Sequence, residues 1–361
     1  MSIESQITRL NNAKAAIKQS IENKGVRVGE DVKLDKYAEY IDNIEVGSGG
    51  GSGDSEYMNP DFYELKTAGG TSYRGLFCWT DTTNFDISSF GLDSSNVTDM
   101  SYMFYYCGQQ KGTITGLHSL DFSKVKYINH MFTSCSSGGT IDLSGISFPE
   151  ATDAQYMFNG VSYITSIDLS NTDFPKLKKL TSMFYIYSSH LTSINLTGTN
   201  MPNITNTNNM FNGCSKITSL DLSGINFSNV TDVGSMFGEC KLLVDIIGEI
   251  DCSKLTSGLY PSSYSNPFKA CNALETVYLK NIYKNVTTMK NDAKWSINLS
   301  ETVVKDECLV YIINELPDLI NDKGLTATNK IVLTLPPTNT LTAEQVQVAI
   351  DKGWQVANTT Y

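Results

Sequence analysis

A Met-Phe pair recurs along this chain at nearly constant intervals, and that period limits what the chain can fold into. The pairs are Met103-Phe104, Met131-Phe132, Met157-Phe158, Met183-Phe184, Met210-Phe211 and Met236-Phe237, with a degraded copy at Pro267-Phe268. Successive spacings are 28, 26, 26, 27, 26 and 31 residues. Phe122, Phe148, Phe174, Met201 and Phe227 each precede the next Met by nine residues. Ile141, Ile167 and Leu220 follow it by ten, and Ile194 by eleven. A fixed period in the twenties marks a repeat architecture. One unit cannot cover its own apolar edge, so neighbours must stack on it.

Two patterns share each unit. Segments such as SIDLS alternate apolar and polar residues, as a short strand with Ile and Leu turned inward does. The segment FSNVTDVGSMFGEC places Val230, Val233, Phe237 and Cys240 at i, i+3, i+7 and i+10, the stripe of a helical turn. The predicted fold class is an α/β repeat solenoid, with one strand and one short helical turn per unit. Met, Phe, Cys, Ile and Leu recur because every coil has the same inside.

The flanks read differently. Ile3, Ile7, Leu10, Ile17 and Ile21 fall at heptad spacing, with Lys14 in one core position, so residues 1–46 predict a helical attachment and trimerisation segment. Ile at both core positions favours three strands over two. A single amphipathic helix packing on the segment that follows accounts for the same residues. GSGGGSG at 47–53 opens a flexible linker over 47–56, and the repeats occupy 57–290. Residues 291–361 predict a small α/β module of two helices and a strand, the second helix opening with a capping-box pattern at Thr342 and Gln345. Its expected role is to cap the last coil.

With 361 residues the chain is long enough for a sizeable core. Its net charge of −11 and lack of any basic run argue against nucleic-acid or anionic-membrane partners, which need clustered Lys and Arg. No run of 18 apolar residues occurs and MSIESQITRL has no apolar signal region, so neither membrane insertion nor Sec export is expected.

The stretches NVTDMSYMFYYC, ITSLDLSGINFSNVTDVGSMFGEC and LTSINLTGTNMPNITNTNNMF carry a resemblance. They are similar to the leucine-rich repeats of BspA-like surface proteins, over residues 93–280. That resemblance implies a leucine-rich-repeat solenoid serving adhesion. RLNNAKAAIKQSIENKGVRVGEDVKLDKYAEYIDNI resembles the attachment ends of phage tail-fibre and other virion proteins. The chain therefore predicts a non-enzymatic bacteriophage fibre or spike, located in the virion and released by lysis. Its N-terminus would join other virion proteins, as a homotrimer, and its repeats would bind a bacterial surface glycan or protein. The alternatives are a capsid head fibre adhering to glycans or mucus, a bacterial cell-surface adhesin, and a glycan depolymerase. The last needs a close carboxylate pair outside the repeat pattern.

Three groups of residues are candidates for chemistry. Cys107, Cys135, Cys214, Cys240 and Cys271 share one register, but Val161 and Tyr187 stand in the same place, so buried thiols suit the column better than a disulfide or metal ladder. His118, His130 and His190 are scattered, and His130 shares a variable column with Tyr102, Tyr156, Ser182, Asn209 and Ser235. The outward strand residues Asp121, Asp142, Asp168, Asn195 and Asp221, flanked by Ser144, Ser170, Thr197 and Ser223, form an acidic column. Stacked carboxylates repel unless hydrogen bonds, a cation such as calcium, or a hydroxyl-rich ligand compensates. No other cofactor is expected. Tyr105 and Tyr185, within a set that includes Tyr102, Tyr106, Tyr127, Tyr156, Tyr163 and Tyr187, add the aromatic area that adaptable binding surfaces use.

Overall fold

The computed structural model describes residues 71–358 apart from 79–83, 109–111, 189, 257–265, 288, 290–294 and 326–329. The expected attachment segment with Ile3, Ile7, Leu10, Ile17 and Ile21, and the linker at 47–56, lie outside these residues.

Each repeat contributes one short strand: β1 (Asn84–Asp86), β2 (Thr113–Thr115), β3 (Gly139–Asp142), β4 (Ile164–Asp168), β5 (Ser193–Asn195), β6 (Ser219–Asp221), β7 (Asp245–Asp251) and β8 (Thr276–Lys280). They form parallel sheets β1-β2, β3-β4-β5 and β6-β7-β8. Ile141, Ile167 and Ile194 pair directly, as do Leu220 and Ile246, and all are buried. The architecture is thus strand-rich, with short parallel sheets and one repeat laid on the next.

The expected helical turn is not a helix. From Met100 to Cys107 the backbone N–H groups alternate between two kinds of partner. Those of Met100, Tyr102, Phe104 and Tyr106 donate to carbonyls of Tyr127, Asn129, Met131 and Thr133 in the next coil, at 2.8–3.2 Å. Those of Met103, Tyr105 and Cys107 donate three residues back within their own coil, at 3.0–3.3 Å. The same alternation runs from Thr207 to Cys214. Left-handed residues enforce it. The residue before each Met, namely Tyr102, His130, Tyr156, Ser182, Asn209 and Ser235, has φ between 51° and 60°. That conformation breaks an α-helix and closes a turn. Chained turns nevertheless bury Met100, Met103, Phe104 and Cys107, at i, i+3, i+4 and i+7. Helical spacing thus arises without a helix.

Every inward column becomes a ladder. Phe104, Phe132, Phe158, Phe184, Phe211, Phe237 and Phe268 stack with ring centroids 5.0–5.9 Å apart and planes within 7° of parallel. Phe148 and Phe174 stack likewise, 4.7 Å apart. The cysteines are free and buried. Thiols of Cys214, Cys240 and Cys271 donate to the carbonyls of Phe184, Phe211 and Phe237, each one coil earlier, at 3.0–3.2 Å. Burial pushes the Cys135 thiol up to about 12 and raises Cys107, Cys214, Cys240 and Cys271 as well, so this column stays protonated.

Beyond β8 the pattern changes to β9 (Ile297–Asn298), α1 (Asp306–Glu315), β10 (Val332–Thr334), α2 (Ala343–Asp351) and β11 (Gln355–Ala357). The three strands form a parallel sheet with β10 in the centre. Thr342 and Gln345 close the capping box at the start of α2. Backbone N–H groups of Val303 and Lys305 donate to the carbonyls of Leu274 and Glu275, which brings this segment against the strand of the last coil. One apolar core runs from Tyr73 to Trp354.

Candidate functional site

The outward strand residues come first, because charge repulsion singled them out. Asp142 and Asp168 are direct neighbours in the parallel register, and Asp168 pairs with Asn195. Asp221 pairs with Ile247. Asp121 does not belong to this column. It directly precedes Phe122, the place that Ser147, Asp173 and Asn200 hold in bridged succession beside Phe148, Phe174 and Met201. The shared Asp-apolar lettering had merged two corners of the coil.

One oxygen of each strand-end side chain is occupied within the fold. Asp142, Asp168, Asn195 and Asp221 accept from the backbone N–H two residues on, of Ser144, Ser170, Thr197 and Ser223, at 2.8–3.1 Å. Such side chain-to-backbone turns are a local habit of Asp and Asn, and they end the strands. Asn195 also donates through Nδ2 to Asp168 Oδ1, 3.2 Å away. Asn200 and Asn281 do the same to Asp173 and Asp251, at 2.7 and 3.0 Å. Amides seated on acids thus relieve part of the repulsion. Burial alone would raise the Asp142 carboxyl, but the Ser144 hydroxyl and N–H, helped by His118, hold it below the usual range. Among the described residues no three of His, Cys, Asp or Glu gather as a metal-ion site.

These bonds yield a graded expectation. Asp168→Asn keeps the acceptor for Ser170 and should change stability by less than about 0.5 kcal/mol, whereas Asp168→Ala orphans that N–H and should cost about 1 kcal/mol. Urea unfolding of the two variants checks it, and equal losses would count against the turn as the residue's role.

The tyrosines fall into two places. Near the first coils, the Arg74 guanidinium lies 4.5 Å over the Tyr102 ring, which stacks on His130 at 4.6 Å, which stacks on Tyr156 at 4.8 Å. Tyr105 packs edge-on against Tyr102 and Tyr106, at 5.5 and 4.6 Å. Burial and Arg74, against the opposing pull of Asp153, lower the His130 pKa, which keeps this ring neutral at pH 7.

The second place is a cleft of about 380 Å³ lined by Asn159, Gly160, Val161, Ser162, Tyr163, Tyr185, Tyr187, Ser188 and His190. Its origin is a break in the turn pattern. Two residues past the ladder Phe, the other coils place Tyr106, Ser134, Gly160, Gly213, Glu239 and Ala270, each with φ between 53° and 82°. In the Phe184 coil that residue is Ile186, a β-branched side chain that resists the left-handed region. Ile186 is instead fully buried, and Tyr187, in the register of the cysteines, is turned out with 63% of its surface exposed. The Tyr187 hydroxyl donates to Asn212 Oδ1 at 3.0 Å, and its ring lies 3.1 Å from where a Cβ on Gly213 would stand. Only a glycine leaves that room. Tyr185 meets Tyr187 edge-on at 5.3 Å, and Tyr163 faces His190 at 5.1 Å. The Ser188 hydroxyl donates to the Ser162 carbonyl at 2.6 Å, and His190 Nδ1 lies 2.8 Å from the same oxygen.

Of the sequence-predicted residues, Tyr185 lies in this cleft and Tyr105 in the stack near Tyr102, while the acidic column lines the strand ends. Tyr163 was named only within the tyrosine set, Tyr187 there and as a departure from the cysteine register, and His190 only among the scattered histidines. The signal that locates them is the lone Ile at a place that elsewhere tolerates positive φ.

The chain was also compared with known proteins. No curated protein and no solved structure matches it. The family described as Mycoplasma protein of unknown function, DUF285, matches twice, over residues 54–166 and 152–272. The two matches cover residues 93–272 of the 93–280 stretch that resembles the BspA-like class, while residues 1–46 lie outside both. Spanning 54–272 together, they take in more than half of the 361 residues, and the chain belongs to the DUF285 family.

Proposed function

We propose that the chain is a non-catalytic binding protein of the virion surface. In this reading the stacked coils are a leucine-rich-repeat-type solenoid, residues 291–361 cap it, and residues 1–46 attach it as a trimer to other virion proteins. Its target is a glycan or protein of a bacterial surface. One observation carries the reading: the inward side chains and backbone bonds recur from coil to coil, while the outward side chains vary. Tyr102, His130, Tyr156 and Asn209 share one backbone conformation yet present tyrosine, imidazole and amide groups at a half-buried surface, while Ser182 and Ser235 in the same column are buried. A constant frame with varied outward groups suits recognition, because the surface can change without repacking the core.

Two measurements test it. Fluorescently labelled full chain should bind saturably to cells of some members of a panel of gut and environmental bacteria, and no binding to any strain overturns the reading. Light scattering should give a trimer for the full chain and a monomer for a chain starting at Asp54; equal masses per chain would remove the attachment role of Ile3, Ile7, Leu10, Ile17 and Ile21.

A further inference from the structure

We infer that the cleft between the Phe158 and Phe184 coils is a binding site for a neutral saccharide ring, with Tyr187 as its stacking platform. The inference rests on the binding role proposed above and names the ligand class.

The lining favours neutral ligands. The residues that line the cleft include no Asp, Glu, Lys or Arg, in a chain whose net charge is −11. An anionic ligand would find no Lys or Arg there, only the imidazole of His190, and a cationic one no carboxylate. What the cleft does offer is aromatic surface beside neutral polar groups: Tyr163, Tyr185, Tyr187 and His190 together with Asn159 and Ser162. A pyranose has that dual character, with C–H groups on its faces and hydroxyls around its rim. At about 380 Å³ the cleft falls in the range of small-molecule sites, roughly 300–1,000 Å³, and at its lower end.

Tyr187 supports the assignment. Tyr187, turned out with 63% of its surface exposed, leaves its ring open to a ligand. Its orientation is set on two sides, by the hydroxyl bond to Asn212 and by the edge-on ring of Tyr185. A fixed aromatic face loses little freedom on binding, which is how tyrosine contributes affinity at low entropic cost. The edge-on contact with Tyr185 sets a second ring at a steep angle to the first, 75° between planes, so the pair forms a corner instead of a flat patch. A ring laid on Tyr187 would turn its rim toward Tyr185.

The test is a titration of the full chain with methyl glucoside, methyl galactoside, methyl mannoside and N-acetylglucosamine, read by saturation-transfer and chemical-shift NMR, with N-acetylneuraminic acid as the charged comparison. At least one neutral sugar should bind and N-acetylneuraminic acid more weakly. Tyr187→Ala should weaken binding about tenfold or more, as loss of an aromatic anchor does. Tyr187→Phe, which keeps the ring, should retain most of the affinity, and Leu242→Ala, an exposed apolar residue two coils on, should leave it unchanged. The spectrum of each variant reports its folding. Absence of binding by all four neutral sugars overturns the assignment. Equal affinity in Tyr187→Ala, or preference for a neutral aromatic tripeptide over every sugar, does so too. If labelled chain carrying Tyr187→Ala adheres to cells as the parent does, the cleft assignment falls and the binding role stands. If sugars bind but no cell does, the role falls and the cleft stands.

Discussion

Replacing Phe211 with Ala should cost about 3–5 kcal/mol, among the largest losses available to a single substitution here. Phe211 is fully buried between Phe184 and Phe237, at centroid distances of 5.3 and 5.8 Å, with planes within 3° of parallel. Truncation removes contacts to two coils at once, and the flanking rings cannot close the gap without dragging their own backbones, which are hydrogen-bonded to further coils. The loss should therefore spread. Paired with Phe184→Ala, the combined cost should differ from the sum by more than about 0.5 kcal/mol, since the residues touch. Urea unfolding measures both terms. A local reporter lies nearby: the Cys214 thiol donates to the Phe184 carbonyl and is 2% exposed. It should react slowly with iodoacetamide in the parent and markedly faster in Phe211→Ala. An unchanged rate together with a loss below about 1 kcal/mol would refute the ladder as a stabilising element.

Gly224→Ala should be nearly as damaging, for a different reason. A Cβ at this position would stand 2.1 Å from the carbonyl oxygen of Thr199 and 3.1 Å from its carbon, both backbone atoms of the preceding coil. A side chain can swing aside, but a backbone carbonyl held in a stack cannot. Relief requires the two coils to part at this corner, and about 3 kcal/mol is the expected cost, the upper part of the usual range for overpacking. Gly145 is the informative comparison. Its φ is +68° and nothing lies within 4 Å of the added Cβ, so Gly145→Ala should lose only the left-handed preference, about 1 kcal/mol. Thermal unfolding of the two variants ranks them, and the reverse order would show that strain and not coil contact governs these corners.

Much of this arrangement was legible before any coordinates. The period named the inward residues, because a column that must pack against its own copies tolerates few side chains. Phe104 to Phe268 and the cysteines of the shared register are buried as that logic requires, with Tyr187 the exception in that register. The capping box at Thr342 and Gln345 was legible too, since it depends on four consecutive residues alone. Helix and turn were confused because burial at i, i+3, i+4 and i+7 satisfies both. What separates them is the backbone angle before each Met, and Tyr102, Tyr156, Ser182 and Ser235 there are not residues that announce a positive φ. Asp121 was misplaced because two corners of one coil use the same acid-capped turn. The cleft was hidden because its cause is Ile186, an ordinary core residue in every respect except the backbone conformation it declines.

That single residue has a wider meaning for chains built this way. Altering the surface of most folds calls for a longer loop or an inserted segment, which must then be accommodated. Here the left-handed positions act as hinges whose state depends on one side chain. A β-branched residue at such a point reverses inside and outside for itself and its successor: Ile186 goes in and Tyr187 comes out, while the Ile186 N–H still donates to Asn212 in the next coil, at 3.0 Å. The neighbouring coils keep their bonds. One added residue and one β-branched side chain are then enough to open a recess on an otherwise regular wall: Ile194 follows Met183 by eleven residues, where Ile141, Ile167 and Leu220 follow their Met by ten. New binding geometry becomes available by small changes of sequence, one coil at a time.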